Sequence, residues 1–371
     1  MLGESIDRQP YWLFWSPWET TWERWRAELA SGASACQALF PQRSGDYSAF
    51  VACFRDAFGP DALPRVLPVN LGPCPRIPEV VLEESEEFVV RVDSWGITRR
   101  DFKGHQSMSD FIEFPVKGWD DWCRFKAAHL DPRHPERLGA NWRELGAEWM
   151  AKGYPVQVGG YPDAGVFGPY RWLVGDEDGL VALLTMPELA HDIMDTITDI
   201  YLAVLEQVVK DVRVDVFHFW EDMCYRNGPL ISPRHWEQFL GPNYRRIKAF
   251  ADEHDIPVIS VDTDGDPELI AQPMIDAGVN LLFPMEVAAG CDVNVWQERY
   301  PGLAMIGGVD KRALACGPEE IDRELERIRP AVERGRYIPA LDHLIPDDVS
   351  WDNYCHYALG LKRLVLGEPQ A

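Results

Sequence analysis

The sequence predicts an α/β protein built as a single (β/α)8 TIM barrel with a Trp-rich N-terminal elaboration. Three observations carry this prediction. Short runs rich in Val, Ile, Leu and Phe alternate with longer amphipathic stretches through the second half of the chain, the pattern of a parallel sheet with helical crossovers. The runs number close to eight and their connections are short, which favours a closed barrel over an open sheet. Several runs end in acidic or polar clusters, where such folds place their ligands.

The elements follow in order. Trp12, Trp15, Trp18, Trp22 and Trp25 crowd the start. Trp18, Trp22 and Trp25 keep helical spacing after Pro17, so a short helix is expected. These rings read as a plug over one end of a core, with Trp15 a candidate wall for a flat ligand. Residues 1–60 are taken as the elaboration and residues 61–371 as the barrel. Residues 65–72 read as a buried strand stopped by glycine, and Phe88–Asp93 as another. Residues 117–152 read as helical, Val156–Gly160 as a short strand, and Tyr161–Tyr170 as a loop of Gly, Pro and aromatic residues. Pro187 opens a helix reaching about Lys210. The alternation is then regular: strands at Val214–Trp220, Val258–Val261, Leu281–Pro284, Ala304–Gly308 and Tyr337–Ala340. Helices fall between them at Pro233–Glu253, Pro267–Ala277, Val293–Arg299 and Pro318–Glu333.

Composition narrows the function classes. The 371 residues are 46% hydrophobic and 26% charged, ordinary for a globular protein. The net charge of −24 and pI of about 4.7 repel nucleic acid and anionic membranes. The eight cysteines are scattered without a C-x-x-C pair, against a disulfide framework or zinc ribbon. Met1–Arg8 lacks the basic and apolar regions of a signal peptide. No apolar run nears the ~18 residues of a membrane span. A cytoplasmic protein is expected, with a homodimer as the base-rate assembly.

The candidate site residues lie at strand ends. Val258–Asp266 runs from an apolar strand into three carboxylates around Gly265. Asp262 and Asp264 read either as an Asx-turn or as site acids, while Asp266, next to Pro267, reads as a helix cap. Of Glu221 and Asp222, Glu221 is chosen as the site acid. Counting by twos puts Phe217, Phe219 and Glu221 on one face and His218 and Trp220 on the other. Trp220 is a candidate substrate contact. His343 follows Asp342, a neighbour suited to support a histidine ligand. Glu286 is a further candidate contact, and Lys311 reads mainly as a salt-bridge partner of Asp310. Tyr161, Phe167, Tyr170 and Trp172 read either as a lid over an aromatic ligand or as loop packing; Tyr161 and Tyr170 are retained as substrate-binding candidates.

Six ordered segments, His218–Cys224, Asn227–Pro233, Asp262–Gly265, Gly278–Glu286, Gly307–Lys311 and Pro346–Ser350, resemble the uroporphyrinogen decarboxylase superfamily. The resemblance implies a (β/α)8 barrel with its site at the C-terminal mouth. Its decarboxylases use an Arg-rich N-terminal loop and an Asp near the first strand. Here Trp12–Trp18 contains no arginine, and the strand end Pro68–Gly72 carries Asn70. The chain is more similar to the branch of cobalamin-dependent methyltransferases, whose zinc is held by a His-x-Cys pair and a later Cys. Those positions correspond here to Asp262, Asp264 and His343, with Glu221 as a fourth ligand or general base. The resemblance thus implies methyl transfer between a small methylated donor, such as an aryl methyl ether in O-demethylation, and cobalamin on a corrinoid protein. A divalent metal, zinc first, would act as Lewis acid. Two alternatives stay open: a metal-free decarboxylase or lyase using the Asp pair on a small carboxylic acid, and a non-catalytic barrel binding a corrinoid or other planar ligand.

Overall fold

The computed structural model describes residues 8–41, 46–103 and 108–368; residues 1–7, most of the stretch read for a signal, lie outside them. The chain divides into two compact units, Pro64–Leu281, and Met1–Leu63 together with Leu282–Ala371. The residues taken as a separate N-terminal elaboration thus share a unit with the end of the chain.

In the larger unit, strands Arg65–Val66, Val156–Gly159, Val216–Trp220 and Val258–Asp262 lie side by side in that order, all parallel. The first is shorter than the expected 65–72 run. Leu67 still donates to Gln157, but Pro68 has no N–H with which to continue the ladder. The Val216–Trp220 strand alternates in burial with a period of two. Phe217 and Phe219 point outward onto Tyr201 of the Pro187–Val208 helix, and Phe219 also meets Tyr244 of the Gly241–Glu253 helix. That helix layer fixes which face of the strand remains for a ligand.

The strand expected at Phe88–Asp93 forms, at Phe88–Val92, but it is no barrel strand. It belongs to a four-stranded antiparallel sheet with Val80–Glu84, Thr98–Phe102 and Asp110–Glu113. Turn chemistry explains the difference. The Asp93 carboxylate accepts the N–H groups of Trp95 at 2.9 Å and Ile97 at 3.0 Å, closing a hairpin instead of a crossover.

In the smaller unit, Ala304–Val309 and Tyr337–Leu341 pair in parallel, flanked by helices Val293–Arg299, Lys311–Cys316, Pro318–Arg334 and Trp351–Leu366. The N-terminal aromatics pack here. Trp25, fully buried, lies 4.9 Å from Trp351 and 5.3 Å from Tyr354, ring to ring, and its indole N–H donates to the Val349 carbonyl at 2.9 Å. The plug reading of Trp22 and Trp25 matches their burial in the helix Glu19–Ala30. A mostly parallel seven-stranded sheet is present among the described residues, and its alternation with helices places the chain in the α/β class of (β/α)8 barrels. No described helix is long and apolar enough to cross a membrane.

Trp25→Ala removes both the ring contacts and a buried hydrogen bond. It should destabilise the protein by about 3–5 kcal/mol, read from urea unfolding; a loss under about 1 kcal/mol would show that the aromatic cluster is dispensable.

Candidate functional site

Two neighbouring strands set the candidate site of the larger unit. Their register pairs His218 with Ser260 and Trp220 with Asp262, so these four side chains share one face. His218 Nδ1 lies 2.9 Å from Ser260 Oγ, and its Nε2 lies 4.0 Å from Asp262 Oδ2. Burial pushes the His218 pKa down to about 4, leaving the imidazole neutral near pH 7.

Beyond Trp220 the chain turns sharply. Asp222 has φ of 42°, a left-handed conformation that Asp and Asn tolerate better than most residues. Its carbonyl accepts from the Arg171 guanidinium, and its carboxylate lies 3.6 Å from Arg171 Nη1. Arg171 is itself buried and ion-paired to Asp176 at 2.6 Å. Burial raises the Asp222 pKa to about 6; Arg171 opposes the shift, whereas the charges of Asp264 and Asp176 add to it. Asp222 and Asp264 therefore form an interacting acidic pair at adjacent strand ends. Gly265 lets the turn after Asp264 pass close to the Cys224–Tyr225 backbone, for a Cβ there would sit 2.5 Å from the Tyr225 carbonyl oxygen. Asp266, read from sequence as the helix cap, lies one residue before it: Pro267 holds the N-cap position of the Glu268–Asp276 helix, while the Asp266 carboxylate accepts from Glu268 N at 3.0 Å.

Aromatic rings complete this end. Trp220 stacks on Trp172 at 5.1 Å, and the exposed Tyr161 meets Trp220 edge-on at 5.0 Å.

Two candidates receive other work. Glu221 was expected to face the site as acid or ligand, but it lies on the Phe217–Phe219 face and is fully buried. Its carboxylate accepts from the backbone N–H groups of Val166 at 2.8 Å, Phe167 at 2.6 Å and Gly168 at 2.9 Å, and from the Tyr244 hydroxyl. These four donors fill its lone-pair directions. Gly165 allows the bonded loop to close on the strand, since its Cβ would lie 2.1 Å from the Trp220 carbonyl oxygen. Tyr170 was expected to contact substrate, yet it is fully buried with its hydroxyl donating to the Gly179 carbonyl at 2.7 Å. Asn70, at the strand end where a carboxylate was sought, closes its own turn by accepting from Gly72 N and donating to Pro73 O.

The smaller unit holds the remaining candidates. The Trp15 ring stacks on His343 at 4.8 Å and on Phe283 at 5.2 Å. Asp342, expected to support His343, accepts instead from the backbone N–H groups of Val287 at 3.0 Å and Lys311 at 3.1 Å. Burial raises its pKa to about 6, against the pull of Lys311. Lys311 pairs with Glu286 at 3.4 Å, whereas Asp310 pairs with Arg312 and caps the following helix. Asp222, Arg171 and Ser260 are the site residues that sequence reasoning left aside. Period-two counting already grouped His218 with Trp220, and that signal extends to Ser260.

Glu221→Gln would set an amide N–H₂ against N–H donors. It should cost roughly 3–5 kcal/mol in urea unfolding; a variant as stable as the parent would deny Glu221 its anchoring role.

Residues 174–357 match the family described as Uroporphyrinogen decarboxylase (URO-D). A uroporphyrinogen decarboxylase of Rhodococcus erythropolis is 28% identical over 163 residues, 43% of this chain and 42% of that protein. Another, from Desulfotalea psychrophila, is 25% identical over 152 residues, 39% of this chain and 40% of that protein. The matched part thus spans about two fifths of those relatives' lengths. Among solved structures, a methyltransferase from Methanosarcina mazei covers 97% of this chain and 95% of its own, with a TM-score of 0.59 at 16% identity, a likeness of fold. The segments from His218 to Ser350 fall inside the family match, so this part of the chain, just under half of it, is similar to the uroporphyrinogen decarboxylase family, and the methyltransferase likeness is one of fold.

Proposed function

We propose that this chain is a methyltransferase that moves a methyl group between a small methylated donor, an aryl methyl ether by class, and a corrinoid carried on a partner protein. The observation that carries this reading is the makeup of the strand-end site. Asp222, Asp262 and Asp264 stand with the Tyr161–Trp220–Trp172 rings, and Arg171 is already committed to Asp176 and Asp222. A porphyrinogen bearing many carboxylates needs cationic clamps, whereas acids and flat rings suit a neutral aromatic ether. The fold likeness to a methyltransferase is in keeping with this reading.

In the proposed step the bond between methyl carbon and ether oxygen breaks, the methyl passes to the acceptor, and the electron pair stays on oxygen. Asp222, protonated in part near neutral pH, gives that oxygen a proton. Arg171 holds the Asp222 backbone in place for the transfer, and the rings orient the aryl group. A divalent ion, zinc by resemblance, would be held by Asp262 and Asp264 and, bound, would supply a Lewis acid for the departing oxygen. Carboxylate oxygens fit such an ion, and Glu221 leaves the set because its lone pairs are filled.

A decarboxylase or lyase acting on a smaller carboxylic acid is the second reading. The raised acidity range of Asp222 beside Asp264 favours it, because such a pair serves directly as proton donor.

Elemental analysis of the purified protein beside Asp264→Ala, with a methyl-transfer assay using a corrinoid protein, separates the two readings. Methyl transfer, and one equivalent of metal lost in the variant, is the expected result. No methyl transfer and identical metal content in both proteins would favour the second reading.

The acidity of Asp222 has its own test. Its folded pKa of about 6 exceeds the unfolded value, so the native parent holds an extra proton between about pH 4 and 6. That contribution to stability is lost as pH rises through this window. Asp222→Asn should therefore gain roughly 1–3 kcal/mol relative to the parent between pH 4 and pH 8. A stability difference independent of pH would remove Asp222 as the proton donor.

A further inference from the structure

A second cluster of donor atoms lies in the larger unit, away from the residues used above. The Arg137 side chain is almost fully buried and binds four backbone carbonyls: Asp131 at 2.6 Å, Gly72 at 2.9 Å, Asn70 at 3.1 Å and His129 at 3.3 Å. It thereby joins the loop after the first strand to the segment around residues 129–137. Cys74 N adds a bond to His129 O at 2.7 Å. The result is a fixed meeting of residues sixty positions apart, with Cys74 Sγ 3.2 Å from His134 Nδ1. One carboxylate oxygen of Glu136 joins them, and the three donor atoms lie within 4.8 Å of one another.

We propose that Cys74, His134 and Glu136 bind a thiophilic divalent cation, zinc by ligand chemistry, with a fourth coordination position left to solvent. Sulfur, imidazole and carboxylate are the donor types zinc takes, at about 2.3 Å to sulfur and 2.0–2.2 Å to nitrogen or oxygen. Tetrahedral bonds of those lengths separate S and N by about 3.6 Å, so small side-chain rotations suffice to admit the ion. His134 Nδ1 also accepts from Glu136 N at 3.3 Å, a long bond that metal coordination replaces. The cation displaces the Cys74 thiol proton to water, and the thiolate and Glu136 carboxylate together cancel its two charges. Cys74 is buried and Glu136 exposed, so the ion enters from the Glu136 side. The bland alternative, a thiol–imidazole hydrogen bond, accounts for two of the three groups and leaves the placement of Glu136 without a role.

The test is Co²⁺ titration of the chelator-treated full chain, read by absorption. A thiolate-to-cobalt charge-transfer band arises only from a cysteine-ligated ion, so the oxygen-rich set proposed at Asp262 and Asp264 is silent in this readout. The band should appear in the parent and in Asp264→Ala, be lost in Cys74→Ser and His134→Ala, and be bleached by Zn²⁺. Glu136→Gln, at an exposed position that leaves folding intact, should weaken Co²⁺ binding at least tenfold. No band in the parent at saturating Co²⁺, a band that survives in Cys74→Ser, or unchanged affinity in Glu136→Gln would each overturn the assignment.

Discussion

The buried Glu221 carboxylate is the interaction on which the candidate site depends. A carboxylate removed from water is costly unless each lone pair finds a donor. Here the donors are three successive backbone N–H groups, from Val166 to Gly168, and the Tyr244 hydroxyl. Satisfying one side chain therefore draws the start of the Phe167–Val174 helix onto the end of the Val216–Trp220 strand. Two consequences follow from that contact. Trp172, on the helix, arrives in stacking range of Trp220. Arg171, one residue earlier, reaches the Asp222 carbonyl. The anchor lies on the helix-facing side of the strand, while the groups it positions stand at the strand's end.

Much of this was legible in the alternation of residues, and one choice was not. Counting by twos correctly separated Phe217, Phe219 and Glu221 from His218 and Trp220. It does not say which set faces the helices, because strands of a parallel sheet are buried on both sides. A carboxylate at the strand end then reads as a site acid when it is a helix anchor. The next residue was equally opaque. Asp222 leaves the strand with positive φ, and once the backbone turns, the period of two no longer predicts where a side chain points.

The acids after the second strand were easier to read, since Asp262 continues the strand and Gly265 marks the turn. The hairpin at Asp93 was misread for a local reason: a carboxylate that accepts two N–H groups closes a turn that the apolar run alone does not announce. The meeting of Cys74 with His134 left no periodic trace at all. It is made by Arg137, whose donors sew two irregular segments through their carbonyls, and irregular backbone carries no pattern for counting to find.

The titrating groups of the strand-end site are pushed in opposite directions by the same cause. Burial disfavours charge, so it lowers the His218 pKa to about 4 and raises that of Asp222 to about 6. Near neutral pH the imidazole is already neutral, and Asp222 is the group whose proton is poised to move. His218 is thus a hydrogen-bonding wall shared with Ser260, and the proton chemistry falls to the acid. Arg171 limits the rise in Asp222 by standing beside it, while Asp264 and Asp176 sustain it. An acid held between a cation and two anions, at a turn of constrained backbone, is tuned by its neighbours as much as by burial. That balance requires Arg171 to stay paired on both sides, which the Glu221 anchor secures by fixing the helix that carries it.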